Sequence, residues 1–321
     1  MKNRWRIAVL VSCVFSAGSA WTQGYPAKPV RIVIGFSPGS TTDLIGRVVG
    51  SKMAEGLGQP VVVDNRPGAG ANIAAEIVAK APADGYTVLF ANAGLATGAT
   101  AYVKLNFNAL RDFTPVSHVS ATPHILVVHP SLPVRSVKEL IAFARARPGA
   151  LNFSSTGHGN SDHLAAELLN NLTGLKMVHV AYKGGPQALA DVASGQVALY
   201  FPGLPSGLPF IKSGRVRPLG VTGAKRATAA PDVPTIAEAG VPGYEHILWG
   251  MLVVAAATPK DIVDRLNRET VKALAAADVR ERFASMGVDP TGSTPAEART
   301  YLVSETEKYA KVVKAIGLRI E

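Results

Sequence analysis

From Val30 onwards, short β-branched runs alternate with helical patterns, and near residue 125 the alternation starts again. This arrangement confines the chain to α/β architectures. Val30-Arg31-Ile32-Val33-Ile34 reads as a strand. Residues 42–57 follow as a helix, with Leu44, Ile45, Val48, Val49 and Met53 on one face. Val61-Val62-Val63 is the next strand, Ile73, Ile77 and Val78 mark a helix, and residues 87–90 a third strand. Such alternation implies crossover connections and a mainly parallel sheet.

The second series opens with Ile125-Leu126-Val127-Val128 and a helix over 136–147, capped by Ser136 with Glu139 at the box position. Asn152-Phe153-Ser154 leads through a loop to a helix over 161–172. Strands at 178–180 and 197–201 flank a helix at 186–193, and 216–221 is a further strand. Residues 229–244, rich in Pro and Gly, read as a connector. A strand at 248–254 precedes two long helical patterns, the first opened by Pro259 and the second by Ser293-Thr294-Pro295. The last helices are expected to return to the first unit.

The first twenty residues read as an export signal. Lys2, Arg4 and Arg6 precede an apolar stretch ending in Ala17-Gly18-Ser19-Ala20, so cleavage is expected near Ala20 and the protein is expected in the periplasm. Leu10-Val11-Ser12-Cys13 resembles a lipoprotein box, but the apolar stretch before it is short, and lipid anchoring at Cys13 is disfavoured. Loss of the signal removes the single cysteine and lowers the formal charge of +10 by three. A disulfide scaffold is thereby excluded. Disorder is excluded by a hydrophobic fraction of 47%, which can bury a large core. The remaining basic residues are spread thinly and aromatics are only 7%, so nucleic acid is not an expected partner.

Two loops share one design. Gly35-Phe36-Ser37-Pro38-Gly39-Ser40-Thr41-Thr42-Asp43 and Ser154-Ser155-Thr156-Gly157-His158-Gly159-Asn160-Ser161-Asp162-His163 each join a strand to a helix start. Both are built from small, hydroxyl and glycine residues. Free N–H groups at helix N-termini favour an anion. One such loop per unit suggests a cleft that clamps a small anion, although either loop alone reads rather as a capped turn. Gly35-Phe36-Ser37-Pro38-Gly39 also matches the hydrolase pattern G-x-S-x-G, but Pro38 lacks the N–H an oxyanion hole needs there, so no catalytic residue is assigned. His158 and His163 do not have metal-site spacing, and no metal is expected. The other histidines are scattered. Gly68-Ala69-Gly70 lacks the third glycine of a dinucleotide fingerprint, and no cofactor is expected.

Further motifs extend along the chain: Tyr25-Pro26-Ala27-Lys28-Pro29-Val30-Arg31, Gly58-Gln59-Pro60 through Gly70, Asp84-Gly85-Tyr86-Thr87, Asp112-Phe113-Thr114-Pro115-Val116, His129-Pro130-Ser131-Leu132-Pro133, Val180-Ala181-Tyr182-Lys183-Gly184, Asp232-Val233-Pro234-Thr235 and Glu238-Ala239-Gly240. Together they resemble Bug-type proteins, the extracytoplasmic solute-binding components of tripartite tricarboxylate transporters. The resemblance implies a type II periplasmic-binding-protein fold. Its two α/β lobes would be hinged by crossover strands, with lobe 1 at 25–123 plus 247–321 and lobe 2 at 124–246. It implies a carboxylate ligand, membrane transporter subunits as partners, a monomer and no catalysis.

Carried over by position, the first ligand loop is Phe36, Ser37, Gly39, Ser40 and Asp43, and the second is Ser155, Thr156, Gly157, Asn160, Ser161 and His163. Asn92 and Ala93 match a further loop, and Tyr182 an aromatic lining the cleft. The sequence departs from the family pattern at Ser40, where a glycine is usual, and at His158 and Asn160. It departs most at Pro202, where family members commonly carry an Asp that can meet an ammonium group. The expected ligand is therefore a carboxylate without an amine: a dicarboxylate, keto acid or aromatic acid. Phe36, Tyr182 and Phe201 leave room for a ring. Two other readings stay open from the sequence, a secreted serine hydrolase using Ser37 and a ligand sensor for a regulatory membrane protein.

Overall fold

The computed structural model describes residues 24–320; the export signal and Cys13 lie outside the described residues. Among the described residues, eleven strands form two mixed sheets and ten α-helices pack around them. The first part of the chain runs β1 (Val30–Ile34), α1 (Thr41–Leu57), β2 (Val61–Asn65), α2 (Asn72–Ala79), β3 (Thr87–Ala91), α3 (Ala93–Ala101) and β4 (Phe113–Pro123). It continues with β5 (Ile125–Val128), α4 (Val137–Arg145), β6 (Asn152–Ser155), α5 (Ser161–Thr173), β7 (Val178–Ala181), α6 (Gly185–Ala193), β8 (Leu199–Tyr200), α7 (Leu204–Lys212) and β9 (Arg217–Val221). The last part holds β10 (Ile247–Ala255), α8 (Lys260–Ala275), α9 (Ala277–Met286), β11 (Asp289–Pro290) and α10 (Pro295–Ala315). No helix among the described residues is long and apolar enough to cross a membrane.

The first sheet has the order β11-β4-β10-β3-β1-β2 and the second β7-β6-β8-β5-β9. In the first, β1 pairs in parallel with β2 and β3, and in the second, β6 pairs in parallel with β7 and β8. The expectation of a mainly parallel sheet needs correction at β10 and β5, which pair antiparallel with both neighbours. The reason lies in the path of the chain. Both strands arrive from the opposite sheet, so neither is delivered by the strand-helix-strand crossover that enforces parallel pairing. The chain passes to the second sheet between β4 and β5, and returns between β9 and β10.

Each sheet is buried on both faces, as its continuous apolar strands require. Along β1, Ile32 and Ile34 pack with Ile45 and Val49 of α1, while Val33 points to the layer of α2 and α3. Along β5, Leu126 and Val128 face Leu140 of α4, and Ile125 and Val127 face Leu189 of α6.

Two local differences have clear causes. Pro259 is the N-cap rather than the first residue of α8, with extended φ −54° and ψ 143°. The first of the two long helical patterns is broken at Ala276, whose ψ of 139° ends α8 and starts α9.

Candidate functional site

Five helix N-termini converge on one cavity between the two sheets. The cavity is about 30 Å³, room for one carboxylate-sized group. From the first sheet come Ser40, Thr41 and Thr42 at the start of α1, with Asn92 capping α3. From the second come Ser161 and Asp162 of α5, Gly185 of α6, and Gly203 with Ser206 of α7. Phe36, His124, Thr156, Tyr200 and Leu248 complete the wall, which contains no Lys or Arg. The opening amides of a helix have no carbonyl partner within it, and its dipole leaves partial positive charge there. The wall therefore presents concentrated N–H donors without a fixed cation.

The first loop is held from below. Gly39 takes φ +81°, a conformation glycine adopts without a Cβ penalty, and delivers Ser40 to its capping position. The Ser40 hydroxyl accepts from the N–H of Asp43 at 3.3 Å. The Asp43 carboxylate turns away from the cavity and accepts from Gly39 N–H, Arg47 Nε and Asn65 Nδ2 at 2.9–3.0 Å. Burial pushes this carboxyl upward, but Arg47, the Gly39 amide and Asn65 outweigh it and hold it below the ordinary range. Ser37 and Gly39 lie outside the cavity wall, and the Ser37 hydroxyl bonds no histidine or carboxylate among the described residues.

The second loop is organised by Asp162, which is 3% exposed. Its four acceptor directions are filled by Thr156 N–H (2.7 Å), Thr156 Oγ1 (3.0 Å), His163 N–H (2.9 Å) and Tyr200 OH (3.0 Å). Burial nonetheless pushes this carboxyl up to about 6. Gly157, at φ +125°, lets the loop turn against Gly70 of the first sheet's side.

The loops also touch across the cleft. Thr41 Oγ1 donates to Ser206 Oγ at 3.0 Å, and Thr97 Oγ1 donates to the Gly159 carbonyl at 2.8 Å.

Of the expected ligand residues, the fold gathers Phe36, Ser40, Asn92, Thr156 and Ser161 at the cavity. It places the others behind or beside the wall. Ala93 is buried as the first residue of α3. The Ser155 hydroxyl accepts from Gly157 N–H and meets His179. Asn160 Nδ2 donates to the Thr156 carbonyl. His163 accepts from Gly159 N–H, and its ring lies tilted against those of His158 and His179. Tyr182 donates to Asp191 at 2.6 Å rather than lining the cavity, and the Pro202 carbonyl accepts from Ile125 N–H. Residues absent from the sequence assignment are Thr41, Thr42 and Asp162, which sat inside the two loops, and His124, Gly185, Tyr200, Gly203, Ser206 and Leu248. Gly184-Gly185-Pro186 and Gly203-Leu204-Pro205 carry a helix-start signature that would have found the α6 and α7 contributions.

Five imidazoles are held uncharged. Burial lowers His118, His124 and His179 to about 4 and His163 to about 2, and takes His246 well below its ordinary value. Neighbouring imidazoles add to the depression of His163, His179 and His246. Below pH ~6.5 these groups take up protons in the unfolded chain before the folded one, so their contribution is complete above that pH and is lost on acidification. Asp162 and Glu167, both raised by burial, act in the opposite sense at lower pH. With five groups against two, the melting temperature at pH 5 should lie roughly 5 °C or more below that at pH 7. Calorimetry at constant ionic strength measures this, and a melting temperature that is flat or rises on acidification contradicts the assignment.

Known proteins share this fold. A sequence profile described as Tripartite tricarboxylate transporter family receptor matches residues 45–318. Protein BugT of Bordetella pertussis is 35% identical over 317 residues, which cover 98% of this chain and 97% of BugT. The solved structure of R. palustris Rpa4515 with adipate is 38% identical with a TM-score of 0.89, over 92% of this chain and 99% of that one. MatC (Rpa3494) from Rhodopseudomonas palustris with bound malate is 29% identical with a TM-score of 0.86, over 90% and 100%.

Proposed function

The chain belongs to the tripartite tricarboxylate transporter receptor family, and from that premise we propose that it is a periplasmic solute-binding protein for a small carboxylate without an amine, a dicarboxylate, keto acid or aromatic acid. It captures this ligand in the cavity between the sheets and delivers it to a tripartite tricarboxylate-type membrane transporter. It acts as a monomer, exported by a signal cut near Ala20. Its lobes are residues 25–123 with 247–321, and 124–246.

The observation that carries this reading is the convergence of five helix N-termini on a wall without Lys or Arg. An anion there is met by backbone N–H groups from both sheets. The adipate and malate in the two neighbouring structures support the ligand class.

Rejection of an amine follows from the acceptors. Pro202 offers no side-chain charge, and Asp162, the one acid in the wall, has its oxygens filled by protein donors. An ammonium group would be desolvated without a counter-charge. Capture proceeds without catalysis, in keeping with a receptor family and with a Ser37 hydroxyl that bonds no base among the described residues.

A thermal-shift and calorimetric panel tests the reading. Adipate, malate, succinate, 2-oxoglutarate and benzoate are expected to include at least one that raises the melting temperature by several degrees. Glutamate and aspartate should leave it unchanged. Stabilisation by the amino acids alone overturns the ligand class.

A further inference from the structure

Two histidines mark the passages of the chain between the sheets, and both meet one hydroxyl of the second ligand loop. His124 is the residue between β4 and β5, and His246 directly precedes β10. They are 3% and 7% exposed, and their rings lie 5.6 Å apart at an interplanar angle of 29°. Nε2 of His124 is 2.8 Å from Ser161 Oγ, and Nε2 of His246 is 2.9 Å from the same oxygen. Nδ1 of His124 lies 2.8 Å from the Phe201 carbonyl oxygen. The backbone ties the pair together as well. His124 N–H donates to Thr222 Oγ1 at 2.8 Å, and His246 N–H donates to the Thr222 carbonyl at 2.9 Å. Thr222 directly follows β9, at the start of the return passage.

Counting protons fixes the direction of this chain of bonds. A carbonyl oxygen only accepts, so Nδ1 of His124 carries a proton. A neutral His124 then has a bare Nε2, which accepts from the Ser161 hydroxyl. That hydroxyl has one proton and cannot serve His246 too, so Nε2 of His246 carries a proton and donates to Ser161 Oγ. The bonds run from His246 to Ser161, from Ser161 to His124, and from His124 to the Phe201 carbonyl. Burial holds both rings neutral, which this count requires.

We propose that His124 and His246 are positioning residues for the ligand loop. They hold the Ser161 hydroxyl in one proton direction, so that Ser161 meets a carboxylate with its backbone N–H, while its side chain joins the start of α5 to both passages. The proposal rests on the carboxylate-capture reading above. Each opposite case has a cost: a reversed bond places two lone pairs or two protons face to face in a buried site.

Long-range proton–nitrogen NMR of the uniformly 15N-labelled protein at pH 7.5 reads the tautomers, with single His→Gln variants assigning the signals. His124 should be the Nδ1–H form and His246 the Nε2–H form. The opposite tautomer at either ring, a charged ring or an averaged mixture overturns the proposal. Calorimetry with adipate then reads the role. Ser161→Ala and His246→Leu should each weaken binding by about 10-fold. His246→Gln, whose amide can donate from the Nε2 position, should restore it to within about 3-fold. The Ser161→Ala/His246→Leu pair should bind no worse than Ser161→Ala alone, because both act through one hydroxyl. Additive losses, or no rescue by glutamine, overturn the coupling. A wild-type protein that binds no carboxylate of the panel overturns the capture reading instead, and the tautomers then decide this proposal by themselves.

Discussion

Replacing Thr41 with proline is expected to leave the fold standing and to weaken capture of the carboxylate by roughly 10- to 100-fold. Thr41 is the first residue of α1, a position that favours proline because its N–H has no intrahelical partner. Ser40, the residue before it, has φ −67° and ψ 157°, the extended conformation a residue preceding proline adopts. The folded protein therefore loses only the Thr41–Ser206 hydroxyl bond. A ligand carboxylate loses an N–H at the start of α1, and a hydrogen bond to a charged group is worth ~1.5–3 kcal/mol. Thr41→Val separates the two effects, since it removes the hydroxyl and keeps the amide, and its loss should be the smaller. Titration calorimetry and thermal melts of both variants make the comparison. Wild-type affinity in the proline variant would mean that this amide does not meet the ligand. A collapsed melting temperature would refute the argument from helix position.

How far the residues disclose this site depends on where each is buried. The turn from β1 into α1 is legible because the hydrophobic period changes from 2 to 3.6 across a glycine-rich loop. α3 is not, because residues of Ala93–Ala101 are buried on nearly every side and so show no apolar face. α7 is hidden by Gly207 and Pro209, whose propensities oppose a helix that packing imposes. β4 carries Pro115 and alternates Ser and Thr with apolar residues, and the pairing register shifts at Leu252/Val253, where β10 meets Pro115. His124 and His246 belong to no local motif, whereas Ser161 lies in the second loop. They become neighbours only because the chain crosses twice between the sheets, which a one-dimensional pattern does not encode. Tyr182, assigned to the cleft by resemblance, is drawn instead to Asp191 on α6.

The approach of the two sheets' loops yields the largest expected effect, through Gly203→Ala. Gly203 has φ −59° and ψ 142°, so alanine fits the backbone without strain. Its added Cβ would stand 2.5 Å from Thr41 Oγ1 and 2.9 Å from Thr41 Cβ and Cγ2, across the cleft. No rotation of Thr41 moves its Cβ, so the loops must separate by about 1 Å to restore ordinary carbon contacts. Donors at 2.9 Å then stand near 3.9 Å, beyond hydrogen-bond range, on one side of the ligand. Affinity should fall by more than about 100-fold, because amides from both sheets must reach one small anion. The melting temperature without ligand should stay within a few degrees of the wild type, since each sheet keeps its own core. Small-angle scattering with adipate present should show the variant at its ligand-free dimensions. Adding Thr41→Gly removes the three atoms nearest the new methyl while keeping the Thr41 amide position, so the double variant should recover at least about 10-fold. A Gly203→Ala protein that binds like the wild type would mean that the ligand is held with these loops apart. In that case the contact between Thr41 and Ser206 belongs to the ligand-free protein alone.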